Sequence, residues 1–102
     1  MMRKIEFKEL ERPVEEDMKE FVQIAKFLTT TQSWTLTNKF ESEYEAVCWF
    51  QKSGVEIKLY YDTMDGMYLG TCDEAFDLES LFNEINTHLK NETGVDNLRQ
   101  IP

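Results

Sequence analysis

The chain has 102 residues, 41% hydrophobic and 30% charged, which suits one core that needs no metal or disulfide support. Its net charge is −9, from 20 acidic against 11 basic residues, and this opposes direct contact with nucleic acid or anionic membrane, which attract clustered Lys and Arg. No apolar run is long enough to span a membrane, and Met1 to Arg12 is too charged for a signal peptide, so the expected location is cytoplasmic.

Ile5, Phe7 and Leu10 stand among charges in the first segment, 1–12. Ile5 and Phe7 alternate with Lys4, Glu6 and Lys8, which fits a short edge strand or a docked coil equally. Pro13 opens a helix where its missing N–H costs nothing, and Glu15, Glu16 and Asp17 occupy the first turn, favoured there by the helix dipole. Val14, Met18, Phe21, Val22, Ala25 and Leu28 predict its core stripe, with Ile24 on the edge and Phe27 well outside. Thr29-Thr30-Thr31 ends it. Trp34-Thr35-Leu36-Thr37 predicts a strand with Trp34 and Leu36 inward, and Asn38 to Glu43 a polar connection.

The stretch from Tyr44 to Cys72 predicts three antiparallel strands. With Ser53-Gly54 as a two-residue loop, Cys48 faces Leu59, Phe50 faces Ile57 and Ala46 faces Tyr61. A slip of one would set Phe50 against Glu56 and turn every side chain over. A second loop, Met64-Asp65-Gly66, with Gly66 left-handed, brings Met67 and Leu69 in beside Leu59 and Tyr61 and sets Tyr60 opposite Gly70. Asp73 or Asp77 caps the last helix, where Leu78, Leu81, Phe82, Ile85 and Leu89 form an apolar stripe and Gly94 follows the end. The expected fold is one α+β domain over 1–102: helix, three or four antiparallel strands, helix, with a short N-terminal edge strand as an option and 1–12 and 95–102 loosely attached.

Little in the chain points to catalysis. His88 is the only histidine, so triads and histidine metal sites have no second member. Cys48 is expected in the core and Cys72 on the other face, which argues against a disulfide and for reduced thiols. Aligning Gly66 with the glycine of a calcium loop puts Tyr61 and Cys72 where carboxylates are required, and the chain's glycines make no phosphate loop. No cofactor and no enzyme activity are expected.

The element order resembles that of double-stranded-RNA-binding domains, but the basic loop those domains use is missing and the charge has the wrong sign. In length, acidity and element order the chain also resembles small anti-CRISPR proteins that occupy a nuclease's DNA-binding surface, a likeness no motif carries. Toxin-immunity proteins and secretion chaperones share these gross features.

The expected function is therefore that of a small acidic binding protein, an inhibitor or immunity factor that masks a basic nucleic-acid-binding or toxin surface of another protein. The face away from Ile57 and Leu59 carries Val47, Trp49, Tyr60 and Tyr68 among Glu45, Glu56, Lys58 and Asp62, and it is either covered by a helix or the N-terminal segment or free as a contact surface. Lys58, directly across from Trp49, is placed for a cation–π contact with it. Two acidic clusters join the candidate partner-binding set: Glu15, Glu16, Asp17 and Glu20 on the first helix, and Glu41, Glu43 and Glu45 entering the sheet. The alternative is a structural module that self-associates as a homodimer through its sheet face, or a small chaperone.

Overall fold

A computed structural model of the chain describes residues 2–7 and 14–93, the side chains of 14–17 and 92–93 excepted. Pro13, Gly94 and the expected tail lie outside the described residues. The elements run β1 (Arg3–Glu6), α1 (Val14–Thr30), β2 (Thr35–Glu41), β3 (Glu45–Lys52), β4 (Val55–Asp62), β5 (Gly66–Thr71) and α2 (Leu78–Thr93). All five strands are antiparallel in one sheet of order β1-β5-β4-β3-β2. The class is α+β as expected, but the order is strand, helix, four strands, helix, because 3–6 is a true strand paired with β5.

The β3–β4 register follows from its turn. Ser53 and Gly54 have φ of 51° and 81°, the left-handed pair that matches strand twist in a two-residue hairpin. Cys48 then pairs Leu59, Phe50 pairs Ile57 and Ala46 pairs Tyr61. At the next hairpin Gly66 is left-handed, with φ 88°, and Met67 and Leu69 point inward. The pairing is nevertheless two places from the expected one: Asp62 pairs Gly66, so Tyr60 meets Tyr68 and Gly70 meets Lys58. The Asp62 carboxylate explains the slip, since its Oδ1 accepts the N–H groups of Met64 and Asp65 and closes the loop over 63–65. A slip of two keeps every side chain on its face.

Ala46, Cys48, Phe50, Ile57, Leu59, Tyr61, Met67 and Leu69 form one buried cluster with residues of both helices. Leu78, Leu81, Ile85 and Leu89 bring α2 to it, and Asp77 caps this helix by accepting the Ser80 N–H at 3.0 Å. Asp73 instead shapes the turn before it, accepting from Ala75 and Phe76. Arg3 donates to the carbonyls of Asp73 and Phe76, tying β1 to this turn.

The α1 face differs from the expected stripe. Phe21, Ile24, Phe27 and Leu28 are buried while Val22 is 58% exposed, a rotation of roughly a quarter turn at 100° per residue. The rotation lets Phe27 stack on the His88 ring of α2, 4.3 Å between centroids, and buries two large side chains in place of one valine. Trp34 belongs to the end of α1 rather than to a strand. Its backbone N–H reaches the Leu28 carbonyl at 2.9 Å, with Ser33 left-handed at φ 61°, so the chain folds back over the last turn of the helix. The ring is buried and meets Phe76 edge-on.

β2 is longer than expected and absorbs Asn38 to Glu41 from the polar connection. It bulges at Thr37, whose hydroxyl bonds the Trp49 carbonyl. Leu36 shares a face with Phe50 but is 42% exposed, because β2 is the sheet's last strand and all 7 of its residues are exposed.

Phe27→Ala should cost about as much as Phe21→Ala, about 3–5 kcal/mol each, while Val22→Ser should stay within about 0.5 kcal/mol. Denaturant midpoints decide it, and a larger loss at Val22 than at Phe27 would reverse the assignment of the helix face. Both cysteines are free, Cys48 buried and Cys72 exposed. Burial pushes the Cys48 thiol above its ordinary value, against a smaller pull from Lys39. A disulfide-exchange reagent should label Cys72 quickly and Cys48 only after unfolding; equal rates in the folded protein would contradict this packing.

Candidate functional site

Alternation along the strands sends every second residue to the face away from the helices. Across the sheet these residues form two rows: Asn38, Trp49, Lys58, Gly70 and Lys4, then Phe40, Val47, Tyr60, Tyr68 and Glu6. None of these ten residues belongs to the buried cluster that holds the helices. Among the described residues, then, both helices take the Ile57 and Leu59 face, and no element covers the other.

Trp49, Lys58, Tyr60 and Tyr68 are half-buried by one another. Tyr60 and Tyr68 stack with centroids 4.9 Å apart and planes inclined by 25°. Lys4 Nζ sits 4.8 Å from the Tyr68 centroid, and Lys58 Nζ 5.1 Å from that of Tyr60. Each ammonium thus rests on the negative face of a ring while its outer side stays wet. Lys58 lies across from Trp49 as expected, but its charge goes to the tyrosines; the stacked pair offers it two rings at once, with Tyr68 at 5.8 Å. Beside Trp49, the Met2 thioether packs over the bare Cα of Gly70, and a depression of about 270 Å³ lies next to it, bordered by Lys58, Met2 and Cys72.

At one border Glu45 and Asp62 are cross-strand partners of like charge. The Tyr60 hydroxyl lies 2.8 Å from Glu45 Oε2 and 3.2 Å from Asp62 Oδ2, and shares its proton between them. Donation to Glu45, with lesser contributions from burial and Asp62, holds the phenol well above its ordinary value of 10.0. Asp62 is shifted down, chiefly by the Met64 N–H. Backbone donors and the Tyr60 hydroxyl favour the charged form of Asp62 beside its cross-strand neighbour.

The remaining expected site residues are not brought together. Val47 is on this face but only 5% exposed, enclosed by neighbours, so it supports the surface without presenting it. Glu20 is 2% exposed on the buried side of α1 and is withdrawn as a contact residue, the direct result of the helix rotation. The side chains of Glu15, Glu16 and Asp17 lie outside the described residues. Glu41 and Glu43 are exposed and Glu45 is half-buried. Glu41 pairs Ala46 on the helix side, however, while Glu45 points the other way, so this cluster is divided between two faces. Lys4, Glu6 and Phe40 were not foreseen. Only the alternation about Ile5 hinted at β1, and nothing local names its pairing partner.

Among the described residues no three His, Cys, Asp or Glu side chains group as a metal ion requires, and no helix is long and apolar enough to cross a membrane. Comparison with known proteins finds no matching family model, no matching curated protein and no matching solved structure.

Tyr60 should ionise well above pH 10 in an alkaline absorbance titration, and Glu45→Gln should bring it down. The sign is that of a raised acid: its stabilisation is full below the unfolded value near 10.0 and is lost as pH rises through the folded one. A Tyr60 that titrates like a free phenol would remove the hydroxyl from between the carboxylates.

Proposed function

We propose that this protein is a non-catalytic binding module that engages another protein through the open face of its sheet, with Trp49, Tyr60 and Tyr68 as the central contacts. The observation that carries the reading is one-sided packing. Both helices pack against the inner face, and three half-buried rings stand in a row-and-column patch on the outer face among the described residues. Large flat rings gain much area for little lost rotamer freedom, and they dominate interface energetics when their surroundings exclude water.

The border charges suggest the partner's chemistry. Glu6, Glu45, Glu56 and Asp62 outnumber Lys4 and Lys58 on this face, and both lysines are engaged over tyrosine rings. A partner presenting Arg or Lys around an apolar centre is complementary to that arrangement. An inhibitor or immunity factor that masks a basic surface is the finer form of the reading, and the net charge of −9 supports it through faster encounter.

Trp49→Ala tests the reading. The variant should keep the wild-type unfolding free energy to within about 1 kcal/mol and lose the captured partner, because truncating a contact residue chiefly costs the complex. Acrylamide should quench Trp49 in the free protein while Trp34 stays shielded, and capture should weaken as salt rises. A Trp49→Ala protein that unfolds, or a Trp49 as shielded as Trp34, would end the proposal.

A further inference from the structure

The β2 edge of the sheet carries a second surface, independent of the open face. β2 ends the strand order, and all 7 of its residues are exposed, with Phe40 half out in water at 50%. An exposed strand edge is a template for another strand. Its backbone directions follow from one bond: the Ser42 N–H donates to the Glu45 carbonyl at 2.8 Å. Alternate residues of an antiparallel strand aim their N–H and C=O the same way. Phe40 therefore bonds towards β3, and Lys39 and Glu41 turn their backbone groups to the open edge. The Lys39 N–H agrees, since its acceptor is the side-chain Oδ1 of Asn38 at 2.9 Å instead of a strand carbonyl.

We propose that β2 is the seam of an antiparallel homodimer, two copies pairing edge to edge about a two-fold axis at Phe40. Opposite residues must lie on one face of the sheet, so the axis has to pass through a residue. At Lys39 or Glu41 it would set like charges against each other, and at Asn38 it would run into the Thr37 bulge. At Phe40 every feature of the edge is matched. Lys39 and Glu41 lie on the same face, beside Cys48 and Ala46, and Lys39 of each copy meets the partner's Glu41, giving two opposite-charge pairs by symmetry. These are also the two residues whose backbone groups face the edge, the Lys39 N–H exchanging its Asn38 Oδ1 acceptor for the carbonyl of the partner's Glu41 in the ladder. The two Phe40 rings face each other in the closer, non-hydrogen-bonded kind of pair, where side chains touch best. The two five-stranded sheets become one continuous sheet, with both open faces on the same side.

The experiment is sedimentation velocity on the full chain across a wide concentration range. The wild type should show a concentration-dependent dimer. Lys39→Glu and Glu41→Lys should each raise its Kd by about tenfold or more, because each change creates two like-charge pairs. The double variant Lys39→Glu with Glu41→Lys restores opposite charges and should restore the dimer. Circular dichroism and denaturant midpoints for all four proteins report whether the fold survives these exposed changes. A wild type that is monomeric at every concentration overturns the proposal and makes Lys39 a guard against edge pairing. Single reversals without effect, or a double variant no tighter than the singles, overturn it too.

Discussion

The left-handed backbone at Ser53 and Gly54 is the constraint on which the rest of the sheet depends. A two-residue turn of this kind admits one register between β3 and β4, and register decides sides. With Phe50 opposite Ile57 and Cys48 opposite Leu59, the aliphatic set faces the helices. The same choice sends Trp49, Lys58 and Tyr60 the other way. A shift of one would have buried Lys58 and Glu56 without partners, at a cost of several kcal/mol for each charge. The buried core and the open patch are two consequences of one turn.

Helix placement depends on contacts remote in the chain. Phe27 has no place on the best local stripe, yet it is buried because His88 gives it a ring to stack on. The left-handed Ser33 then reverses the chain so that Trp34 closes the core instead of starting β2. Arg3 works in the same way from the other end, holding the Asp73 and Phe76 carbonyls, 70 and 73 residues away from it. These ties seat α2 over β1 and β5 and α1 beside it.

The open face shows how charge and aromatic surface can share a sheet. Lysines laid on tyrosine rings keep their ammonium groups hydrated while their stems cover apolar area. A tyrosine hydroxyl between two carboxylates ties the acids of the border together. Such a surface keeps its charges in water while its rings stay partly uncovered.

By itself the sequence determined what local rules govern. Turn chemistry at Ser53-Gly54 and Gly66 and the period-2 pattern from Val55 to Asp62 set which residues face the core, and with them the burial of Cys48 and exposure of Cys72. The stripe of Leu78, Leu81, Ile85 and Leu89 likewise placed α2. What only the tertiary structure decided involves competition between surfaces that are distant in sequence. The α1 face was chosen by total buried area, which removed Glu20 and Val22 from the roles their spacing suggested. The pairing of β1 with β5, and so the place of Lys4 over Tyr68, carries no local signal because any edge can accept a short strand. The two-place slip that stacks Tyr60 on Tyr68 came from the Asp62 carboxylate in the loop, an interaction invisible to hydrophobic patterning because a slip of two leaves that pattern unchanged.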